Sequence, residues 1–303
     1  MAPAGTTAAV LDVGSNSVLL LVARLEADGR LEVIDAGLET TRLGRNLATG
    51  SSLDPAACLR TRDAVVAFAA RARAAGASRL WAFATGAARR ASNGLEFATA
   101  TGALARCPIE VLSGEREARL AYAAATSDLP RAGWVLVVDV GGSTTELTLG
   151  QGPRIEAVAS LVLGALMADT EREETIDARL ASAEVLRRAR EWGAPVVASG
   201  GTATALAAVD LGLDTYDAGR VHGHVLRTGQ LRALAASAPA LVGGVLDPGR
   251  AQILPAGARV LSRVASLVDA AEIRVSDRGV RHAYLVERLR AEGLHVSAED
   301  PWG

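Results

Sequence analysis

One short pattern limits how this chain can fold, because it occurs twice: LDVGSNSVLL at Leu11–Leu20 and VDVGGSTTEL at Val138–Leu147. In each copy an apolar run ends in Asp-Val-Gly, passes small hydroxylic residues and enters a second apolar run. Short apolar runs bounded by glycine and serine are strand–turn–strand signals, so each copy predicts a hairpin. A further strand is expected after each, at Leu31–Leu38 beyond the Asp28-Gly29 turn signal and at Arg154–Leu163. Asp12 and Asp139 stand at matching places, 127 positions apart. Two units that each open βββ, produced by internal duplication, are the economical reading.

The remaining periodicities extend that reading. Pro55–Ala75 carries apolar residues at helical spacing and stops near Gly76. Leu80–Ala84 then predicts a strand, Asn93–Arg106 a helix, Ile109–Leu112 a strand and Ser113–Thr126 a helix, giving βββαβαβα. In the second half Ile176–Trp192 reads as one amphipathic helix and Pro195–Ala198 as a buried strand. Thr202–Leu211 is a helix begun by Gly200-Gly201. Helices near Thr228–Ala236, Arg250–Leu267 and Gly279–Glu292 and a strand at Glu272–Val275 complete it. At roughly 100–200 residues per domain, 303 residues suggest two domains. We place them at 1–126 and 127–287, with a C-terminal helix at about 288–300 packing back on the first.

Composition removes whole classes of function. A net charge of −2 and 3% aromatic residues argue against a nucleic-acid groove with stacking platforms and against a basic membrane face, so no DNA, RNA or membrane partner is expected. All 32 basic residues are arginine, which excludes a Schiff-base lysine and the lysine-bearing phosphate loop GxxxxGK[ST]. Cys58 and Cys107 have no CxxC spacing and no histidine cluster, so neither zinc nor a disulfide framework is expected and a cytoplasmic location fits. The N-terminal MAPAGTTAAVLDVGS lacks the pattern of a secretory leader, and no apolar stretch reaches the ~18 residues of a membrane span.

The turns carry the chemistry. A glycine-rich turn lets backbone N–H groups converge on anionic oxygen, and Ser15, Ser17, Ser143 and Thr144 add hydroxyls. A strand-end aspartate, Asp12 or Asp139, can hold Mg2+ directly or through water. In VLSGEREARLAY the first helical turn holds Glu115, Arg116 and Glu117; the acids either favour the helix dipole or supply a base that deprotonates water. ASGGTATAL presents Gly200, Gly201 and Thr202 at a helix start, which suits phosphate binding or close helix packing. VHGH at Val221–His224 has no cysteine or nearby carboxylate, so hydrogen bonding is expected of it and not metal ligation. Arg42, Arg89, Arg90 and Arg250 lie on loops or element ends, where a guanidinium can grip phosphate.

Several motifs in one order resemble the exopolyphosphatase and guanosine pentaphosphate phosphatase (Ppx/GppA) family, of the actin, Hsp70 and sugar-kinase superfamily. DVGSNSVLLLVAR is similar to its first phosphate motif, ATGAARRASNGLEF to its ATSAxRxAxNG segment, SGEREARLAY to SGxEEARL and VVDVGGSTTEL to DxGGGSTEL. ASGGTATALAAV, LGLDTYDAGRVHGHVL, ILPAGARVL and VSDRGVRHAYL resemble later segments. The resemblance implies an α/β protein of two RNase H-like (actin-like ATPase) domains with the active site in the interdomain cleft. It also implies Mg2+-assisted release of orthophosphate from inorganic polyphosphate, short chains above all, or alternatively from guanosine pentaphosphate, or phosphate sensing without catalysis. A homodimer is the expected assembly.

Carried across by position, Glu117 matches the catalytic base, Asp139 the aspartate of metal and water, and Glu146 the glutamate closing the second motif. Gly14, Ser15, Asn16, Ser17 and Arg89 match phosphate-binding positions, as do Gly141, Gly142, Ser143 and Thr144. Gly200, Gly201 and Thr202 are added to them, and Asp12, Asp139 and Glu146 are expected to hold metal. Three departures stand out. Ser143 replaces a glycine at a position that a left-handed backbone would favour, Arg116 replaces the first of paired glutamates, and His282-Ala283 replaces an acidic residue and a glycine.

Overall fold

The computed structural model describes residues 5–48, 50–236 and 245–303, which form two compact units: the chain up to Ser113 with Val280–Gly303, and Gly114–Gly279. This division differs from the expected boundaries at 126/127 and 287/288. The first unit runs β1 (Thr6–Val13), β2 (Ser17–Leu25), β3 (Leu31–Thr40), α1 (Pro55–Ala74), β4 (Arg79–Ala84), α2 (Gly86–Arg90), α3 (Gly94–Ala105) and β5 (Ile109–Val111). The second begins with α4 (Gly114–Ala125), β6 (Val135–Val140), β7 (Thr145–Gln151) and β8 (Arg154–Leu161). It continues with α5 (Ala165–Ala168), α6 (Glu173–Ala181), α7 (Glu184–Glu191), β9 (Val196–Ser199) and α8 (Gly200–Asp210). It ends with α9 (Ala218–Val221), β10 (Val225–Arg227), α10 (Thr228–Ala236), α11 (Pro248–Leu267) and β11 (Glu272–Val275). α12 (Val280–Ala291) belongs to the first unit.

The sheets repeat one topology. Strand order is β3-β2-β1-β4-β5 in the first and β10-β11-β9-β6-β7-β8 in the second. Each is an antiparallel meander of three strands extended by parallel strands from the side of the first, and the second sheet adds an antiparallel edge strand, β10. The opening strands are covered on both faces, which is why β1 reads as an unbroken apolar run where a half-exposed strand would alternate. Ala9, Leu11, Val13, Val18, Leu20 and Val22 pack with Val65, Ala69 and Ala72 of α1. That helix starts where Asp54 accepts the Ala57 N–H at 2.8 Å ahead of Pro55, the expected chemistry of a helix start.

Two packing choices set the unit boundaries. α4 lies against β6, β7, β8 and β9, with Tyr122 and Ala125 on Val135, Val137 and Val197, so it belongs to the second unit. Burial pushes the Tyr122 phenol up to about 12, keeping it neutral there. α12 lies on β1, with Tyr284 4.8 Å from the Phe83 ring and its hydroxyl donating to Glu110 at 2.9 Å. The final segment is not the expected helix to about 300. After α12 it runs irregularly, and Leu31 N–H donates to Pro301 O at 2.7 Å while Ser297 N–H donates to Gly29 O at 2.8 Å. The altered His282 is buried and meets Trp302 edge-on at 4.8 Å.

One more expectation is corrected. The amphipathic stretch 176–192 is two helices, α6 and α7, because Ser182 caps α6 by donating its hydroxyl to Arg179 O at 2.7 Å. Arg89 and Arg90 end a short helix, α2, one of the element ends on which they were expected. No helix among the described residues is long and apolar enough to cross a membrane.

VHGH does find carboxylates, from segments distant in sequence. His222 bonds Asp128 at 3.1 Å and His224 bonds Asp210 at 2.9 Å. Asp128 also accepts from Arg274 at 3.3 Å, tying the α4–β6 connection to the end of β11. Burial raises the Asp128 carboxyl, but the His222 hydrogen bond and the His222 and Arg278 charges together outweigh it and hold it below its ordinary range. A depressed carboxyl contributes stability above its unfolded value of about 4 and loses it as pH falls through the folded value. Asp128→Asn is therefore expected to lower the melting temperature at pH 6 to 7, with the gap to wild type closing below about pH 4. A gap independent of pH would overturn that assignment.

Candidate active site

In the first unit the turn after β1 closes when Gly14 N–H donates to Ser17 O at 3.0 Å, leaving Ser15-Asn16 as its two buried tip residues. A Cβ on Gly14 would lie 3.0 Å from Ser17 O, tighter than side chains ordinarily pack. Ser15 O accepts from Gly44 N–H at 2.7 Å, and Asn16 O accepts from Thr41 and Arg42 N–H at 3.0 and 2.8 Å. Since these peptides are trans, the N–H groups of Asn16 and Ser17 point away from that supporting segment. The Asn16 amide donates to Ser17 Oγ at 3.2 Å. Asp12 lies one residue before the end of β1, opposite Leu19. Arg89 Nη1 donates to Leu112 O at 3.0 Å, so part of this guanidinium holds backbone.

The second unit builds the same turn with a different buttress. Gly141 N–H donates to Thr144 O at 2.9 Å, leaving Gly142-Ser143 at the tip. The first N–H groups of α5 hold it: Ala165 donates to Gly141 O and Leu166 to Gly142 O, each at 2.8 Å. The N–H groups of Gly142 and Ser143 consequently point away from α5. Gly164 permits this contact, because a Cβ there would run into the Gly142 carbonyl. Thr145 Oγ1 donates to Leu163 O and fixes the same junction. Ser143 is buried and has no left-handed φ, so the expected backbone penalty for a non-glycine residue is absent.

The acidic groups lie beside this turn in one transverse row. Direct cross-strand partners share a face with their Cβ atoms about 4.5–5.5 Å apart. Across β9, β6, β7 and β8 those partners are Ser199, Asp139, Glu146 and Ser160. Ser199 Oγ donates to Asp139 Oδ2 at 3.2 Å, and Ser160 Oγ donates to Glu146 Oε1 at 2.8 Å. Glu146 is 2% exposed. α4 covers this face, since Val135, Val137 and Val197 lie along the same strands at spacings of two from Asp139 and Ser199. The Thr148 hydroxyl, two residues beyond Glu146, donates to Ala118 O at 3.2 Å. Buried Glu117, next to Ala118 in the first turn of α4, thus shares the face with Asp139 and Glu146.

The glycine pair after β9 brings a helix N-terminus to the row. Gly200 has φ +79°, and a Cβ on it would collide with the Asp139 carboxylate, so only glycine lets α8 begin this close. Thr202 Oγ1 donates to Val140 O at 2.8 Å and packs on Gly257 of α11. On the first turn of α11, Asp247 accepts the Arg250 N–H at 3.1 Å, and the Arg250 guanidinium lies over Gly201.

The structure thus brings together Glu117, Asp139, Glu146, Gly141–Thr144 and Gly200–Thr202 in one unit, while Asp12, Gly14–Ser17 and Arg89 belong to the other. Among the described residues no group of three or more His, Cys, Asp or Glu is placed to hold an ion. A Mg2+-type cation needs less, because it is bound through one or two carboxylates with phosphate oxygens and water. The register pair Asp139 and Glu146 fits that donor set. Ser160 and Ser199 were not singled out from sequence, and only strand register would have found them.

Paired βββ-opening sheets with a glycine turn and carboxylates at the strand ends define the actin-like ATPase class of proteins. The Ppx/GppA phosphatase family matches residues 21–292, and the chain belongs to it. A solved Ppx/GppA family member from Aquifex aeolicus is 27% identical over 95% of this chain and 98% of its own, with a TM-score of 0.74. An exopolyphosphatase-like protein is 25% identical over 95% and 99%, TM-score 0.79. An exopolyphosphatase from Cytophaga hutchinsonii shares the fold at 19% identity, over 97% of this chain and all of its own, with a TM-score of 0.82. The chain is a phosphatase of the phosphoanhydride-hydrolase type.

Proposed function

We propose that this protein is an exopolyphosphatase that removes the terminal phosphate of short inorganic polyphosphate chains and releases orthophosphate. The observation that carries the reading is the buried Glu117 on the same sheet face as the Asp139–Glu146 pair, beside a turn that aims the Gly142 and Ser143 N–H groups away from its buttress. Water is a weak nucleophile, and Glu117 takes its proton as it attacks the terminal phosphorus. The Gly142 and Ser143 N–H groups and those of the α8 N-terminus bind phosphate oxygens. Asp139 and Glu146 would hold a Mg2+-type cation. Such an ion neutralises phosphate charge when bound. The donors are short-range and built largely from backbone, which suits a few phosphates better than a long polymer.

One relative, 25% identical, is named an exopolyphosphatase-like protein, which supports the same choice. Initial rates of orthophosphate release from tripolyphosphate and from guanosine pentaphosphate, at equal concentration with Mg2+, test it. Faster release from tripolyphosphate is expected. Faster release from the nucleotide would move the assignment to guanosine pentaphosphate hydrolysis, and calorimetric binding of either without turnover would make the protein a sensor.

A further inference from the structure

The carboxylate pair sits between two hydroxyls in one row, and that arrangement has a consequence for the two serines. We propose that Ser160 and Ser199 are positioning residues, which hold the Glu146 and Asp139 side chains in one orientation within the row, the orientation in which the pair meets a cation. The inference rests on the phosphatase reading only for the use to which that site is put.

Three observations support it. The hydroxyls are direct cross-strand partners of the carboxylates they bind, Ser199 of Asp139 and Ser160 of Glu146, so backbone pairing sets each donor's place. Ser199 bonds Asp139 Oδ2 and Ser160 bonds Glu146 Oε1. A hydroxyl donating to a charged acceptor makes a stronger and more directional bond than one donating to a neutral group. Finally, the two ends are covered differently. Ser199 is fully buried beneath α8, whereas Ser160 is exposed at the rim and bonds a buried Glu146. Cross-strand pairing would otherwise set two like charges side by side, which favours side chains that swing apart. A donor on the outer flank of each opposes that.

Ser160 gives the cleaner test because its exposure lets it be changed with little effect on packing. Mn2+ replaces Mg2+ as the probe, since free Mn2+ is counted directly by its electron paramagnetic resonance signal without any turnover. Outer partners of metal ligands are worth about 10- to 100-fold in affinity or activity. Ser160→Ala is expected to weaken Mn2+ binding by about 10-fold and to lower kcat for tripolyphosphate with little change in KM. Its melting temperature should match wild type. Ser160→Thr, which keeps the hydroxyl, is expected to restore both. Wild-type Mn2+ affinity in Ser160→Ala, equal losses in the Ala and Thr variants, or no Mn2+ binding by the wild-type protein would each overturn the proposal. Failure of wild type to release phosphate, with the Mn2+ difference intact, would remove the phosphatase reading and leave the positioning role standing.

Discussion

Glu117→Gln is expected to lower orthophosphate release from tripolyphosphate by about a hundred- to ten-thousand-fold, the range that a positioned general base contributes. Glutamine keeps the shape and hydrogen-bonding reach of the side chain but cannot take a proton at neutral pH. The site should still form, because α4 is held by groups other than Glu117: Tyr122 and Ala125 in the apolar cluster and the Thr148 hydroxyl on Ala118 O. The variant should therefore melt close to wild type and bind Mn2+ as wild type does. Single-turnover phosphate release separates the chemical step from product release. A rate within threefold of wild type would remove Glu117 from the chemistry and turn attention to the other carboxylates of the row.

Gly200→Ala carries the second large effect, on both stability and rate. The residue sits at φ +79°, where a side chain costs about 1–3 kcal/mol. A domain of this size loses about 2–4 °C of melting temperature per kcal/mol. The added Cβ also meets the Asp139 carboxylate, so α8 or Asp139 must move. Misplacing a reacting group by about 1 Å can cost a hundred-fold, and a rate loss of about that size is expected. Gly200→Asn divides the two causes. Asparagine tolerates the left-handed backbone but still carries a Cβ, so it should recover stability and leave activity low. Recovery of both would mean that backbone strain is the whole effect, and wild-type activity in Gly200→Ala would show that Asp139 has room to spare.

Arg89 shows what a sequence motif leaves open. The segment ATGAARRASNG resembles a family segment, but pattern alone cannot say that one Arg89 nitrogen is occupied by Leu112 O. VHGH went the other way. The carboxylates nearest in the chain, Asp214 and Asp217, are not its partners, and folding supplied Asp128 and Asp210 from 94 and 14 residues away.

Local chemistry was enough for the architecture. Doubled Asp-Val-Gly turns, apolar run lengths, Asp54-Pro55 and the glycine pair at Gly200 determined both βββ openings, most helices and the loops that flank the strand ends, because turn geometry and burial periodicity act over a few residues. What surrounds those loops needed the tertiary structure. The β7–β8 hairpin is the clearest case. Its turn pairs Gln151 with Arg154, and continuing that register would set Ala159 opposite Glu146. A bulge at Leu149/Gly150 shifts the pairing by one, where Gly150 lets the Arg154 carbonyl and the Tyr122 ring approach, and Ser160 becomes the partner instead. A one-residue slip turns every side chain to the other face, so a packing contact with α4 decides which residue steadies the buried glutamate.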